Sequence, residues 1–139
     1  MFFRYEAKLP DKAIILDFYK KMGWNDFLRL SAEQLLTAMK QSFYSIYVYD
    51  GANLVGTGRV VSDGVINAYI CGIGVLPQYR NKGIGTEIAK RLTGHCTSYK
   101  LHVQLICEDD LTLYYSKMGF EKFAAGMKYK MCGDRAAPE

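Results

Sequence analysis

A change of hydrophobic period in the middle of the chain constrains the fold more than any other feature. The segment 65–76 is rich in β-branched and aromatic residues, whereas apolar residues beyond Gly83 recur four positions apart. The segment 101–107 is again typical of a strand. A strand, an amphipathic helix and a second strand in this order predict a right-handed parallel crossover. The positions that predict the buried face of the helix are Ile84, Ile88 and Leu92, with Ala89 and Cys96 beside them.

Two further strands are predicted before this unit. The segments 42–50 and 54–62 are rich in β-branched and aromatic residues, with the turn-like sequence DGAN between them. Asp63-Gly64 then predicts the two-residue turn of a tight hairpin that leads into a third strand. Pro77 cannot donate a hydrogen bond to a sheet, so it predicts the end of that strand. The sequence therefore predicts a three-stranded antiparallel meander.

The remaining segments add helices and terminal strands to this sheet. The segment 2–8 is a predicted first strand, and apolar residues at helical spacing predict a helix over 11–24. Ser31 and Gln34 have capping-box spacing, which predicts the start of a second helix. A last helix over 110–119, capped by Asp110, and a returning strand over 120–131 are predicted downstream. The predicted fold class is α/β with a mixed α+β sheet: an antiparallel meander plus one parallel strand-helix-strand crossover.

Length and composition fit a single domain over residues 1–139. Half of the residues are apolar and 23% are charged, which excludes a disordered chain. The net charge is +4 with dispersed basic residues, whereas nucleic-acid binding needs a clustered basic face. No apolar run is long enough for a membrane span or a signal peptide, so we expect no membrane partner and a cytoplasmic location. The four cysteines lack zinc-site spacing, so we expect reduced thiols and no metal.

The segment 80–86, with the sequence RNKGIGT, lies where a predicted strand gives way to a helix. The first N–H groups of a helix have no partner inside it and carry the positive end of its dipole, so they form an anion site. Gly83 and Gly85 let a ligand approach the backbone, and Arg80 and Lys82 add positive charge. The third glycine of a dinucleotide fingerprint and the GxxxxGK[ST] pattern of a Walker loop are both absent. The segment therefore predicts a phosphate cradle of another kind.

The run Arg80-Asn81-Lys82-Gly83-Ile84-Gly85 resembles the Q/R-x-x-G-x-G/A signature of the GNAT family of N-acetyltransferases. The later run LYYSKMGF resembles the FYxKxGF segment of that family, and LVGTGRVVSDG resembles a stretch of its compact, single-domain bacterial members. The predicted order of elements also matches the family over essentially the whole chain. The resemblance implies a GNAT-like fold and the transfer of an acetyl group from acetyl-CoA to a primary amine. A small-molecule amine is the expected acceptor, ahead of a peptide or protein.

The resemblance also implies roles for individual residues. It implies that the pantetheine arm pairs with the backbone around Ile73 and Val75, where the Val75 amide polarises the thioester carbonyl. Tyr115 matches the family tyrosine proposed to protonate the departing thiolate, and a phenol with a pKa of about 10 holds its proton at neutral pH. Core packing is the alternative role for Tyr115, and packing is the main role expected of Tyr114. The residues implied to hold the coenzyme are Ile73, Val75, Arg80, Asn81, Lys82, Gly83, Ile84, Gly85 and Thr86.

The acceptor side of the predicted site matches the family less well. The stretch YICGIGV lacks the carboxylate that many members place there. Glu108, at the end of the strand after the crossover, is a candidate base or amine-binding group, or else only a favourable charge at a helix N-terminus. Deprotonation through water, or an acceptor amine of low pKa, is a further alternative that needs no side-chain base. Trp24 either forms a wall of an acceptor pocket or packs the helices together, and Arg59 is a candidate contact for an acidic acceptor.

The missing strand carboxylate favours a second function, a non-catalytic acyl-CoA binding or sensing domain that keeps the cradle without efficient chemistry. Binding of nucleic acid by the basic loop has only the three residues 80–82 in its favour. The sequence does not identify the acceptor, and an exposed terminal strand or a tyrosine-rich sheet edge permits a homodimer.

Overall fold

The computed structural model describes residues 2–130, which form a five-stranded mixed sheet with helices on both faces. The elements in chain order are β1 Arg4–Glu6, α1 Lys12–Lys21, α2 Asn25–Leu28, α3 Ala32–Lys40, β2 Tyr44–Asp50, β3 Asn53–Ser62, β4 Asn67–Val75, α4 Ile84–Ser98, β5 His102–Leu105 and α5 Thr112–Ser116. The strands lie side by side in the order β1-β2-β3-β4-β5. The pairs up to β3-β4 are antiparallel and the pair β4-β5 is parallel, so the predicted meander and crossover are confirmed.

Alternating glycines on β3 let α4 lie close against one face of the sheet. A Cβ atom at Gly58 would come within 2.6 Å of Ile88 Cγ2 and 3.0 Å of Leu92 Cδ1, and one at Gly56 within 3.2 Å of Ile84 Cγ2. Side chains at these two positions would therefore push the helix away from the sheet. The predicted apolar face of α4 is confirmed, because it is buried at Ile84, Ile88, Ala89, Leu92 and Cys96.

Replacing Gly58 by alanine is expected to lower the free energy of unfolding by about 1–3 kcal/mol, since the added methyl group meets well-packed side chains of α4. Gly94 is the matched control, because a Cβ there lies in open space within the same helix. Gly94→Ala should instead raise the free energy of unfolding by about 0.5–1 kcal/mol. Urea denaturation of both variants measures the difference, and equal stabilities would contradict the close packing at Gly58.

The opposite face of the sheet carries α1 and the residues that follow it. Gly74 on β4 pairs with Thr57, which lies between Gly56 and Gly58 on β3, so Gly74 faces away from α4. A Cβ at Gly74 would come within 2.6 Å of Trp24 Cζ2. The Trp24 ring packs edge-on against the ring of Tyr19, with centroids 5.1 Å apart. The indole thus lies directly on the backbone of β4.

A β-bulge shapes the middle of β4. Arg59 pairs with Cys71 and Thr57 pairs with Gly74, so two steps along β3 correspond to three steps along β4. Gly72 lies in this bulge with a φ of +63°, a left-handed conformation that favours glycine. The bulge bends β4 just before its last residues.

β5 pairs with only the first part of β4. β5 pairs with Asn67 through Ile70, and β4 then continues to Val75 without a neighbour on that side among residues 2–130. Backbone amides on this edge of β4 therefore face an opening and not another strand.

The connection between β3 and β4 is wider than predicted. Four residues, 63–66, separate the strands, so the prediction of a two-residue turn is wrong. The Asp63 carboxylate accepts hydrogen bonds from the backbone N–H groups of Val65 at 2.8 Å and Ile66 at 2.7 Å. These bonds keep the pKa of Asp63 below its ordinary value. They also stabilise a broader loop, because the aspartate side chain takes the place of a backbone acceptor.

The C-terminal part differs most from the prediction. Asp110 does not cap a helix: it lies in a 3-10 turn over Asp109–Leu111, and α5 that follows has no buried residue. Residues 120–130 form no strand, and Met131 lies outside the described residues. The alanines and glycine at 124–126 have low strand propensity, and a strand needs a partner along its length. Between this exposed segment and β5 lies a cavity of about 870 Å³, here called the C-terminal cavity.

Candidate functional site

A cleft lies between the end of β4 and the beginning of α4, where the strand has no neighbour. Its volume is about 560 Å³. The wall includes β4 on one side, Trp24 on another, and the loop that leads into α4. The lining residues are Met22, Trp24, Ile73, Gly74, Val75, Tyr79, Arg80, Asn81, Gly83, Ile84, Gly85, Thr86, Leu111 and Tyr114.

The N-terminus of α4 presents free amides to this cleft. Gly83 is the N-cap residue with a φ of +83°, and no side chain caps this end of the helix. The first bond within the helix joins the N–H of Glu87 to the carbonyl of Gly83 at 3.0 Å. The N–H groups of residues 84–86 therefore have no helical partner. A Cβ at Gly83 would meet nothing within 4 Å, so the approach to these amides is open.

The loop before α4 is tied to the sheet at two points. Arg80 Nε donates to the carbonyl of Val75 at 3.0 Å, and the Tyr79 hydroxyl donates to the Asp50 carboxylate at 2.6 Å. The bond to Asp50 raises the pKa of Tyr79. Of the two predicted cationic neighbours, Arg80 lines the cleft, whereas Lys82 is exposed and does not.

The amide direction along β4 follows from one hydrogen bond. The N–H of Leu76 donates to the carbonyl of Val55 at 2.9 Å, so it points toward β3. Successive amides of a strand point to opposite edges, so the N–H of Val75, and that of Ile73 two residues earlier, point to the open edge. Both residues line the cleft.

The two adjacent tyrosines of α5 lie in different cavities. Tyr114 lines the cleft, and its hydroxyl shares a hydrogen bond of 2.7 Å with the Thr86 hydroxyl on α4. The packing role predicted for Tyr114 is therefore incomplete, because its phenol contributes to the wall of the site. The doublet of tyrosines was visible in the sequence, but a helical period does not distinguish which of two neighbours points into a cleft.

Tyr115 lines the C-terminal cavity and not the cleft. Its ring is half-buried and packs edge-on against Tyr114 and Phe120, with centroids 5.0 Å and 6.0 Å away. Burial raises the pKa of Tyr115, with smaller contributions from Tyr114 and Cys107. The phenol thus holds its proton throughout the neutral pH range.

Of the remaining predicted site residues, Glu108, Trp24 and Arg59, only Trp24 lines the cleft. Glu108 is exposed and lines neither cavity, and no carboxylate from residues 2–130 lines the cleft. Trp24 packs on α1, as considered for it, and also lines the cleft, whereas its role as a wall of an acceptor pocket stays a prediction. Arg59 lines neither cavity but lies beside the bulge of β4.

Besides Gly74 and Tyr114, three more cleft residues were missed by the sequence analysis: Met22, Tyr79 and Leu111. Each lies next to a predicted turn or helix end, where the residue type says little about the direction in which the side chain points. Pro77 could have indicated Tyr79, because proline often begins a short helical turn, and a 3-10 turn over Pro77–Tyr79 follows β4.

Within residues 2–130, no group of three or more metal-binding side chains lies together. In the same part of the chain, no helix is both long enough and apolar enough to cross a membrane.

Comparison with known proteins identifies the family. A family model described as the acetyltransferase (GNAT) family matches residues 13–120, which is most of the chain. The chain belongs to the GNAT acetyltransferase family. It is 30% identical over 112 residues to an uncharacterized N-acetyltransferase, ycf52, of Pyropia yezoensis. That match covers 77% of this chain and 63% of the relative, so the chain spans less than two thirds of the relative's length.

Solved structures show the same GNAT fold. Protein SA2161 of Staphylococcus aureus superposes with a TM-score of 0.78 at 21% identity, covering 94% of this chain and all of that one. The GNAT family protein SP0256 of Streptococcus pneumoniae superposes with a TM-score of 0.73 at 25% identity, covering 92% and 97% of the two chains. Membership of the family supports acyl transfer to an amine as the general chemistry of the domain.

Proposed function

We propose that this GNAT domain transfers an acetyl group from acetyl-CoA to a primary amine of a small molecule by direct attack of the amine. The observation that carries the proposal is the uncapped N-terminus of α4, open beside Gly83, next to the free amide edge of β4. Free helix amides suit a pyrophosphate, and a strand edge suits an extended amide-containing arm. Acetyl-CoA would supply the activated acetyl group as a thioester.

The residues of the cleft fit this coenzyme. The amides of residues 81–86 would hold the pyrophosphate, with positive charge from Arg80 in the cleft and from Lys82 outside it. The Arg80 amide, also predicted to take part, donates instead to the Pro77 carbonyl at 3.2 Å. The β4 backbone at Ile73 and Val75 would pair with the pantetheine arm. The Val75 amide would donate a hydrogen bond to the acetyl carbonyl, where negative charge develops during attack. No carboxylate of the described residues opposes an anion in the cleft.

Tyr115 is the proposed general acid. Burial raises the pKa of its hydroxyl, so it keeps its proton at neutral pH. Because Tyr115 lines the C-terminal cavity and not the cleft, the role requires the hydroxyl to turn toward the leaving sulfur when acetyl-CoA is bound. The support is its match to the family motif, together with its place on α5 immediately beside a residue of the cleft wall. Glu108 is exposed and lines neither cavity, so deprotonation of the amine through water is the better-supported route.

Calorimetric titration with acetyl-CoA tests the cradle directly. Wild type is expected to bind, and Gly83→Glu to lose binding by more than about a hundredfold, because a carboxylate at the free amides repels phosphate. Gly83→Ala shares the strained φ without the charge and should retain most of the affinity. Gly94→Glu places the same charge about 16 Å along the same helix in open space and should bind normally. Absence of binding by wild type, or normal binding by Gly83→Glu, would exclude the proposed site.

A non-catalytic acyl-CoA binding or sensing domain is the second candidate. The absence of a carboxylate from the cleft wall formed by residues 2–130 favours it. Release of free thiol from acetyl-CoA across a panel of small primary amines distinguishes the two functions. Turnover above hydrolysis with any amine supports the enzyme, and binding without turnover over the whole panel supports the sensor.

Three expectations about the cellular context stay predictions: a cytoplasmic location, the absence of nucleic-acid and membrane partners, and a homodimer.

A further inference from the structure

Arg59 lies at the point where β4 leaves β5. Its Cα is paired with that of Cys71, immediately before the bulge. The aliphatic part of its side chain covers Gly72, where a Cβ would lie 3.7 Å from Arg59 Cγ and 3.8 Å from Nε. The guanidinium is thus held over the residue that precedes Ile73, whose amide faces the cleft. A group of a bound molecule beside the bulge would lie close to this side chain.

The positive charge of Arg59 has no acidic partner among residues 2–130. Its side-chain hydrogen bonds go to neutral groups, a long one of 3.4 Å from Nη1 to Ser42 Oγ and one to the Tyr19 hydroxyl. The nearest titratable neighbours are the neutral groups of Tyr19, Tyr69 and Cys71, and the charge partly offsets the rise that burial causes in the pKa of each. A half-buried guanidinium remains charged and has five donors, and among residues 2–130 its hydrogen-bond partners are hydroxyl groups and not a carboxylate.

Arg59 lines neither the cleft nor the C-terminal cavity, but its neighbours lead toward both. Its neighbour Tyr19 packs against Trp24, which lines the cleft, whereas its neighbour Tyr69 lines the C-terminal cavity. The region beside Arg59 is therefore reached from the side of the sheet opposite α4, while the free helix amides lie at the α4 end of the cleft. An acceptor that enters from this side would meet the guanidinium next to the open edge of β4.

We propose that Arg59 binds a carboxylate of the acceptor, so that the substrate is a small primary amine that also carries a carboxylate. This proposal rests on acetyl transfer as the function of the domain. The planar guanidinium presents paired N–H donors that match the two oxygens of a carboxylate. Because no carboxylate among residues 2–130 compensates the guanidinium, an amine without an anionic group leaves the charge unpaired, whereas an acceptor of the amino acid type satisfies it.

The test compares 5-aminopentanoate with pentylamine, whose amines are similarly basic because the carboxylate is remote. Wild type is expected to acetylate the acid with a kcat/KM at least about tenfold higher, the usual value of a charge-assisted hydrogen bond. Arg59→Gln should lose this preference by reducing only the acid's kcat/KM, and Arg59→Lys should keep part of it. Lys20→Gln removes a positive charge from the exposed side of α1 and should leave the preference unchanged.

Equal kcat/KM values for the two amines in wild type would overturn the proposal and leave acetyl transfer intact. Equal losses for both amines in Arg59→Gln would also overturn it, since they would show a structural role. An Arg59-dependent preference for 2-aminoethyl phosphate over 5-aminopentanoate would overturn the assignment of a carboxylate.

Binding without chemistry provides an independent readout. Trp24 is the single tryptophan of the chain. The Tyr19 side chain contacts both Trp24 and Arg59, so Trp24 fluorescence reports on this region. Saturable quenching by 5-aminopentanoate and not by pentylamine, absent in Arg59→Gln, supports the anion site even if no amine is acetylated. If the wild-type signal is the same for both amines, the site is excluded whatever the fate of the proposed function.

Discussion

Replacing Tyr115 by phenylalanine is expected to lower the turnover of acetyl transfer by about a hundredfold or more, while the affinity for acetyl-CoA stays within about twofold. The hydroxyl is the proton source for the leaving sulfur in the proposed mechanism. The ring of Tyr115 lines the C-terminal cavity and not the cleft that is proposed to hold the coenzyme. Phenylalanine preserves the edge-on packing against Phe120 and removes only the proton. Steady-state kinetics and calorimetry on the same preparation separate the two quantities.

Tyr114→Phe is the matched control, because the two phenols are neighbours with different contacts. Its hydroxyl bonds to Thr86 at the N-terminus of α4, so its loss should weaken coenzyme binding several-fold more than it lowers turnover. The opposite pattern, with turnover dependent on Tyr114 and indifferent to Tyr115, would transfer the acid role to Tyr114. An unchanged turnover in both variants would remove a tyrosine acid from the mechanism.

The pH dependence adds a second check on Tyr115. Burial raises its pKa above the ordinary value of 10.0, and an acid is effective only below its pKa. Turnover controlled by this proton should therefore persist through neutral and mildly alkaline pH and fall only above about pH 10. The same alkaline fall should be absent from the residual activity of Tyr115→Phe. A loss of turnover between pH 7 and 9 that requires Tyr115 would contradict the assignment.

Replacing Gly74 by alanine is expected to displace Trp24 and to damage both the fold and the cleft. The added methyl group would lie 2.6 Å from Trp24 Cζ2 and 3.0 Å from Met22 Cε, so the indole must move. We expect a loss of about 1–3 kcal/mol in the free energy of unfolding. Because both Trp24 and Gly74 line the cleft, coenzyme affinity should fall at least about tenfold.

Trp24→Leu in the Gly74→Ala background provides the decisive control. A smaller side chain relieves the overlap. The double variant should therefore lose less unfolding free energy than the sum of the losses of the two single variants. Tryptophan emission of Gly74→Ala should also shift toward longer wavelength, as expected for an indole moved into water. If the two losses simply add, Trp24 and Gly74 are not in the contact described.

Local periodicity explains which parts of the fold could be predicted from the sequence. The four-residue spacing of Ile84, Ile88 and Leu92 sufficed to predict the buried face of α4, because all three lie on one helix. The parallel pairing of β4 with β5 followed from that helix. The strand predicted over 120–131 is wrong over 120–130, because pairing depends on a partner edge that the segment itself does not encode.

The parts of the candidate site that could be predicted are likewise those set by local sequence. The free amides after Gly83 could be predicted, because a helix start and its glycines are local features. The contact of Trp24 with Gly74 and the direction of Tyr114 could not, since each joins distant parts of the chain. The bulge at Gly72 was also missed, because a glycine in a strand is equally consistent with close packing.

The two ties of the loop before α4 bear on conformational entropy. Tyr79 fastens the loop to the end of β2 through Asp50, and Arg80 fastens it to the end of β4 through Val75. Ordering a residue costs about 1–2 kcal/mol, so a free loop that closed around a ligand would lose several kcal/mol of affinity. Here that ordering takes place when the sheet folds. The loop is thus ordered before binding, so an anion that binds there does not lose affinity to the ordering of the loop.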